Sequence, residues 1–203
     1  MEKGIIVAVD SHSEWLLDGW WQAYSTHNAF PVTFVDLGMS KKGVLWAKEK
    51  GNVIEPSFQK QGLLKPLILA LSIYQETIWI ELNCEVQGNL SCLFEELSLD
   101  QEMGLCLDRD MKGASRGSSS GVIVFKQVSK LLSLWIATSA QSLKEEKQFF
   151  SSHSKGFKEL KAVYNWNPLW GANPEALIVR WPFKTGKLFI DKDPLTSKVR
   201  KES

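Results

Sequence analysis

Apolar and polar positions along the chain switch repeatedly between the period of a strand and that of a helix. Gly4-Ile5-Ile6-Val7-Ala8-Val9-Asp10 is a continuous apolar run rich in β-branched residues, the pattern of a strand buried on both faces. Ser11 and Ser13 offer N-cap oxygens, and an amphipathic helix is expected from Glu14 to about Asn28, where Asn28-Ala29-Phe30-Pro31 breaks it. Val32 to Asp36 reads as a second strand, Lys41 to Lys50 as a short helix closed by Gly51, and Val53-Ile54 as a minimal third strand. A helix is expected over 63–74, with Lys65-Pro66 in its first turn. A strand over Thr77 to Asn83 and a short helix over Leu90 to Leu97 follow. Met103 to Leu107 and Val122 to Phe125 read as strands separated by a Gly/Ser loop over 112–121. Residues 127–152 are expected to be helical with a break near Ser139, and Ala176 to Trp181 to form a last strand. Strands alternating with helices predict an α/β sandwich with a mostly parallel sheet.

The chain has 203 residues, enough for one domain that buries about 70% of the surface its unfolded chain exposes. The expected division is a single domain over 1–190 and a basic tail over 191–203, carrying Lys192, Lys198, Arg200 and Lys201. The net charge of +1 argues against a nucleic-acid partner. No apolar run reaches the roughly 18 residues of a membrane span, and the N-terminus lacks a signal-peptide pattern, so the expectation is a cytoplasmic protein without a transmembrane segment. Cys84, Cys92 and Cys106 have no paired spacing, which disfavours a disulfide framework or a zinc site. The nine tryptophans are expected mainly in the core, with ring stacking on a base or sugar as the alternative.

The polar pattern carries most of its chemistry at Trp79-Ile80-Glu81-Leu82-Asn83-Cys84-Glu85. On an extended strand, Glu81, Asn83 and Glu85 would project from one face, at the strand end where open α/β sheets bind ligands. Such an oxygen-rich patch suits a hard divalent cation. Asp10 is followed by Ser11-His12-Ser13 rather than Gly-x-Gly-x-x-Gly, which argues against a dinucleotide phosphate loop, and no Walker loop is present. His12, His27 and His153 are scattered, and Ser119 and Ser120 have no base at a recognisable spacing, so neither a histidine metal site nor a serine hydrolase is supported.

These residues, taken in order, carry a resemblance. Glu81-Leu82-Asn83, Gly88-Asn89-Leu90, Ser119-Ser120-Gly121 with its apolar strand, and Arg180-Trp181-Pro182-Phe183-Lys184-Thr185-Gly186-Lys187 resemble successive motifs of GT-A glycosyltransferases of the glycogenin and lipopolysaccharide-galactosyltransferase type. Glu146-Lys147-Gln148 aligns with that family's Gly-Asp-Gln, and the strand ending in Asp10 and the Lys65 helix also fit. The resemblance covers most of 4–190. It implies a three-layer GT-A sandwich and transfer of a sugar from a nucleotide-diphosphosugar donor, such as a UDP-sugar, to an acceptor (glycan, lipid or protein), with retention of configuration. It also implies a manganese or magnesium ion held by an Asp-x-Asp motif and a histidine. Here Glu81, Asn83 and Arg180 stand at those positions, and Lys147 stands for an aspartate. Glutamate and asparagine can still offer oxygens to a cation, but a guanidinium cannot.

Two outcomes follow. In one, Arg180, Lys184 and Lys187 neutralise the leaving diphosphate directly, as a metal would, with Glu81 and Asn83 orienting the donor. In the other, the site has decayed and the protein is an inactive binding or scaffold protein. By the same resemblance Asp10 lies near the nucleotide, Lys65 reaches the donor phosphates and Gln148 touches a sugar hydroxyl. The plain alternatives are a helix-capping Asp10, a solvated Lys65 and an exposed Gln148. Asp36 reads as structural, and Tyr164-Asn165-Trp166-Asn167-Pro168 either lines a sugar pocket or anchors the C-terminal segment.

Overall fold

A computed structural model describes residues 3–57, 65–109, 115–138 and 143–181. The first part of the chain forms β1 (Lys3–Val9), α1 (Leu17–His27), β2 (Val32–Asp36), α2 (Lys41–Lys50), β3 (Asn52–Ile54), α3 (Lys65–Leu69) and β4 (Glu76–Ile80). It continues with β5 (Cys84–Val86), α4 (Ser91–Phe94), β6 (Met103–Arg109), β7 (Ser115–Lys126), α5 (Lys130–Ala137), α6 (Leu143–Ser152), β8 (Lys158–Leu160) and β9 (Ile178–Arg180). Seven strands form one sheet in the order β3-β2-β1-β4-β7-β6-β8. All run the same way except β7, which is antiparallel to both β4 and β6. β5 and β9 form a separate antiparallel pair.

The apolar run of β1 has the physical cause expected of it. Ile5, Val7 and Val9 join one apolar layer with Trp20, Tyr24 and Phe34, while Ile6 points into the other with Trp79, Trp135 and Phe150. A strand covered on both faces has no polar alternation to show. Tryptophan serves mainly these layers: Trp20 stacks on Tyr24 with centroids 5.2 Å apart, and Trp135 is fully buried against Phe149 and Phe150.

Several boundaries differ from the sequence reading. The strand expected over Thr77 to Asn83 ends at Ile80, because Cys84 N–H turns back to the Glu81 carbonyl at 2.9 Å and the chain restarts as β5. The helix expected over 63–74 is described only from Lys65 to Leu69. Its continuation is a turn that buries Tyr74, whose hydroxyl shares a 2.8 Å hydrogen bond with Thr33. Much of the Gly/Ser segment is not loop: 115–121 is the first half of β7, paired with β6 across two register shifts. Small polar residues join a strand there because β6 supplies the backbone partners, a tertiary effect that propensity does not register. Gly51 closes α2, but its backbone is extended rather than left-handed. Glycine is required there by close approach, since a Cβ would lie 2.2 Å from the Val32 carbonyl oxygen.

Candidate functional site

The common direction of β1, β2 and β4 brings Asp10, Asp36 and Glu81 to one edge of the sheet. Two of the three carboxylates hold the backbone. Asp10 Oδ1 accepts from the backbone N–H groups of His12 and Ser13 at 3.1 and 2.9 Å and from the Ser13 hydroxyl at 2.6 Å. Burial pushes the Asp10 carboxyl up, but these bonds and the His12 charge outweigh it and leave the group below its ordinary value. The side-chain cap expected of Ser11 or Ser13 does not form: Ser13 precedes a 3-10 turn over Glu14–Leu16 and Leu16 precedes α1, neither with a side-chain cap bond, and Asp10 instead closes the turn before them. Asp36 Oδ1 accepts from the N–H groups of Gly38 and Met39, each at 2.7 Å, as its structural reading expects.

Glu81 is different. Its Oε1 lies 2.7 Å from Lys65 Nζ, and the two side chains are 26% and 12% exposed. Lys65 Nζ also donates to the Ser120 carbonyl at 3.2 Å and to Ser120 Oγ at 2.6 Å, so its three donors are matched by three oxygens. Ser120 Oγ donates in turn to Glu146 Oε1. The Trp79 indole packs under the ammonium, 5.8 Å from ring centroid to Nζ, and its N–H donates to the Ser120 carbonyl at 3.1 Å. One lysine thus sits between two carboxylates on an aromatic floor.

Arg180 reaches the same place from β9. It pairs with Cys84 in the β5–β9 ladder, and its N–H donates to the Trp166 carbonyl at 2.8 Å. A Cβ placed on Gly121 would meet Arg180 Cδ at 2.9 Å, Asn165 Oδ1 at 3.2 Å and Glu81 Oε2 at 3.4 Å. Glycine at 121 is what lets these three side chains converge. Cys84 beneath them registers all the charges: burial pushes its thiol far above the ordinary range, the Glu81 carboxylate adds to the push, and Arg180 and Lys65 oppose it.

The three polar residues expected on one strand face are divided by the turn at Glu81. Asn83 and Glu85 belong to a second cluster around Trp181. Asn83 Nδ2 donates to the Trp181 carbonyl at 2.9 Å, Trp181 N–H donates to the Asn83 carbonyl at 2.8 Å, and Trp181 Nε1 donates to Glu85 Oε2 at 2.7 Å. Gln148 is exposed on α6, while Glu146, one half-turn earlier, is buried in the cluster. Lys184 and Lys187 lie outside the described residues. Ser120, Glu146 and Asn165 were not singled out as site residues by sequence, although each lies in or beside a segment noted there.

No family model matches the sequence, and no curated protein matches it. Solved structures do. The glycosyltransferase GlyE of Streptococcus pneumoniae TIGR4 superposes with a TM-score of 0.65 at 16% identity, over 88% of this chain and 55% of GlyE. Mouse xyloside xylosyltransferase 1 gives a TM-score of 0.66 at 12% identity, over 91% of this chain and 99% of that one. The galactosyltransferase LgtC, solved with donor and acceptor sugar analogs, gives 0.60 at 13% identity, over 88% of this chain and 86% of LgtC. The chain has the GT-A glycosyltransferase fold. It spans about half the length of GlyE.

In the GT-A fold, as the sequence resemblance has it, a divalent cation would sit at the end of β4. The residues present do not suit one. Glu81 Oε1 is bonded to an ammonium, the Asn83 amide is turned to Trp181, and an arginine stands nearby. No group of three or more His, Cys, Asp or Glu side chains placed to hold a metal occurs among the described residues. Also among them, no helix is long and apolar enough to cross a membrane.

Proposed function

We propose that the protein transfers a sugar from a nucleotide-diphosphosugar, of which a UDP-sugar is the test case, and that it does so with its own cations in place of a metal. The observation that carries the reading is the 2.7 Å pair between Lys65 and Glu81 at the end of β4, with Arg180 converging on the same carboxylate across Gly121. An unpaired carboxylate there would repel a diphosphate. Lys65 cancels that charge from within the protein. Arg180 then presents a guanidinium, whose planar fork suits phosphate oxygens. When the bond between the anomeric carbon and the phosphate oxygen breaks, its electrons pass to the leaving diphosphate, and a fixed positive charge lowers the barrier to that step. Retention of configuration is the stereochemical outcome this reading carries from the resemblance.

The test is a thermal-shift titration with UDP and UDP-glucose on the wild type, Arg180→Ala, Lys65→Met and Lys65→Arg. Stabilisation in the wild type that is lost in Arg180→Ala and Lys65→Met, and kept in Lys65→Arg, supports the reading. No shift with either nucleotide sinks it.

A second reading is a binding or scaffold protein without catalysis. One observation favours it: all three Lys65 donors are already spent on protein oxygens. The two readings part on turnover. Release of free sugar or transfer to any acceptor from bound UDP-sugar supports the first, and binding without turnover supports the second.

A further inference from the structure

We propose that Asn165 Oδ1 receives a hydroxyl hydrogen from a sugar ring, which makes Asn165 a specificity-determining residue. The inference rests on the nucleotide-sugar reading above. Asn165 is 2% exposed, yet its Oδ1 is buried with no hydrogen-bond partner among the described residues. A buried acceptor left empty is costly, and such groups in folded proteins call for an explanation. Here the other half of the amide is satisfied, since Nδ2 donates to Ser119 Oγ at 2.7 Å. That bond fixes which way the oxygen faces.

It faces the site. Oδ1 lies 3.2 Å from the point a Gly121 Cβ would occupy, the same point that Glu81 Oε2 and Arg180 Cδ approach. The backbone around it is held: Asn165 N–H donates to the Ala162 carbonyl at 3.1 Å, and Trp166 N–H to that of Ile178 at 2.9 Å. Just beyond, Trp166 and Trp170 form an edge-to-face pair with centroids 5.2 Å apart, both partly exposed. A directed acceptor suits the hydroxyl donors on the rim of a sugar, and an aromatic pair in the same segment suits its apolar C–H faces. The chemistry is that of a polyhydroxylated ring, carried either by the donor nucleotide or by the acceptor.

Calorimetric titration of wild type and Asn165→Ala with UDP, UDP-glucose, UDP-galactose and the methyl glycosides of glucose and galactose tests this. The expected result is that a sugar-bearing probe gains affinity from its ring in the wild type and that the gain falls about tenfold in the variant. If the gain appears as the ratio of UDP-sugar to UDP affinity, the ring is the donor's; if it appears with the methyl glycosides, the ring is the acceptor's. Should Asn165→Ala fail to fold, Asn165→Ser and the wild-type ratio are read instead, and a UDP-sugar no tighter than UDP, with no glycoside binding, overturns the proposal. UDP and UDP-sugar binding with the ratio unchanged by the substitution overturns the role of Asn165 alone. Silence from every probe overturns it together with the nucleotide-sugar reading.

Discussion

On one side of the sheet, β3, β2, β1 and β4 run parallel, and Ile5, Val7, Phe34 and Ile78 pack with no exposure in one apolar layer while Ile6 and Val35 enter the other. On the other side, β7 reverses direction, pairs with β6 through two register shifts, and carries Ser119, Ser120 and Gly121 where an apolar strand would carry branched residues. The first half is held mainly by burial, and its buried hydroxyls pair locally, Thr33 with Tyr74 and Thr77 with Ser72. The second gives up apolar contact to gather Lys65, Glu81, Glu146, Arg180 and Asn165 around three small residues. Glu146 Oε2 and Asn165 Oδ1 are buried there without a hydrogen-bond partner among the described residues, as is Trp20 Nε1 in the first half. Burial and polar chemistry divide within β7 itself: Val122, Ile123, Val124 and Phe125 pack in the two apolar layers, while Ser119, Ser120 and Gly121 gather the polar side chains.

That division can be broken experimentally, and the largest effect belongs to the apolar half. Ile78→Ala removes a side chain with no exposure and is expected to cost about 2–5 kcal/mol in urea unfolding while leaving nucleotide affinity in the surviving folded protein unchanged. A loss of affinity at unchanged stability would erase the contrast. Glu81→Ala, which strands Lys65 among neutral oxygens, is expected to cost roughly 1–3 kcal/mol in the same measurement. Asp10→Ala removes the acceptor of two backbone N–H groups and is expected to cost about 1 kcal/mol. Because the Asp10 carboxyl is held below its ordinary value, its contribution is present above the unfolded pKa and fades as pH falls through the lowered folded one.

The smallest effect at neutral pH comes from Cys106. Burial pushes its thiol up to about 12 against Arg180, with Glu159 and Glu96 adding to the push. A raised pKa stabilises fully below the unfolded value near 9 and loses that contribution as pH climbs from there toward 12. The urea midpoint of the wild type should therefore fall more steeply between pH 9 and 11 than that of Cys106→Ala. Parallel curves would show that the thiol is not held neutral.

The apolar half was legible in the sequence because its signals are local. β1, β2 and α2 fall within one residue of their expected bounds, each marked by a run, a cap or a break within about ten residues. The site was legible in its residue types and only partly in its arrangement. Glu81, Lys65 and Arg180 were singled out and come together, but period-two alternation put Asn83 and Glu85 beside Glu81. The reversal at Cys84 N–H depends on a ladder with β9, nearly a hundred residues away. The motif alignment points to Gln148, which is exposed, while Glu146 is buried, because an alignment carries no helix phase and two positions turn a helical side chain by about 200°. Asn165 gave no signal beyond its polar, aromatic surroundings, since an empty acceptor becomes visible only when its neighbours are in place.

The central claim is that Lys65 and Arg180 do the work of a cation at the end of β4. UDP affinity measured by calorimetry in excess EDTA, and again with manganese, tests it most directly. Equal affinity under the two conditions is expected. Binding that is absent in EDTA and appears only with manganese would contradict it.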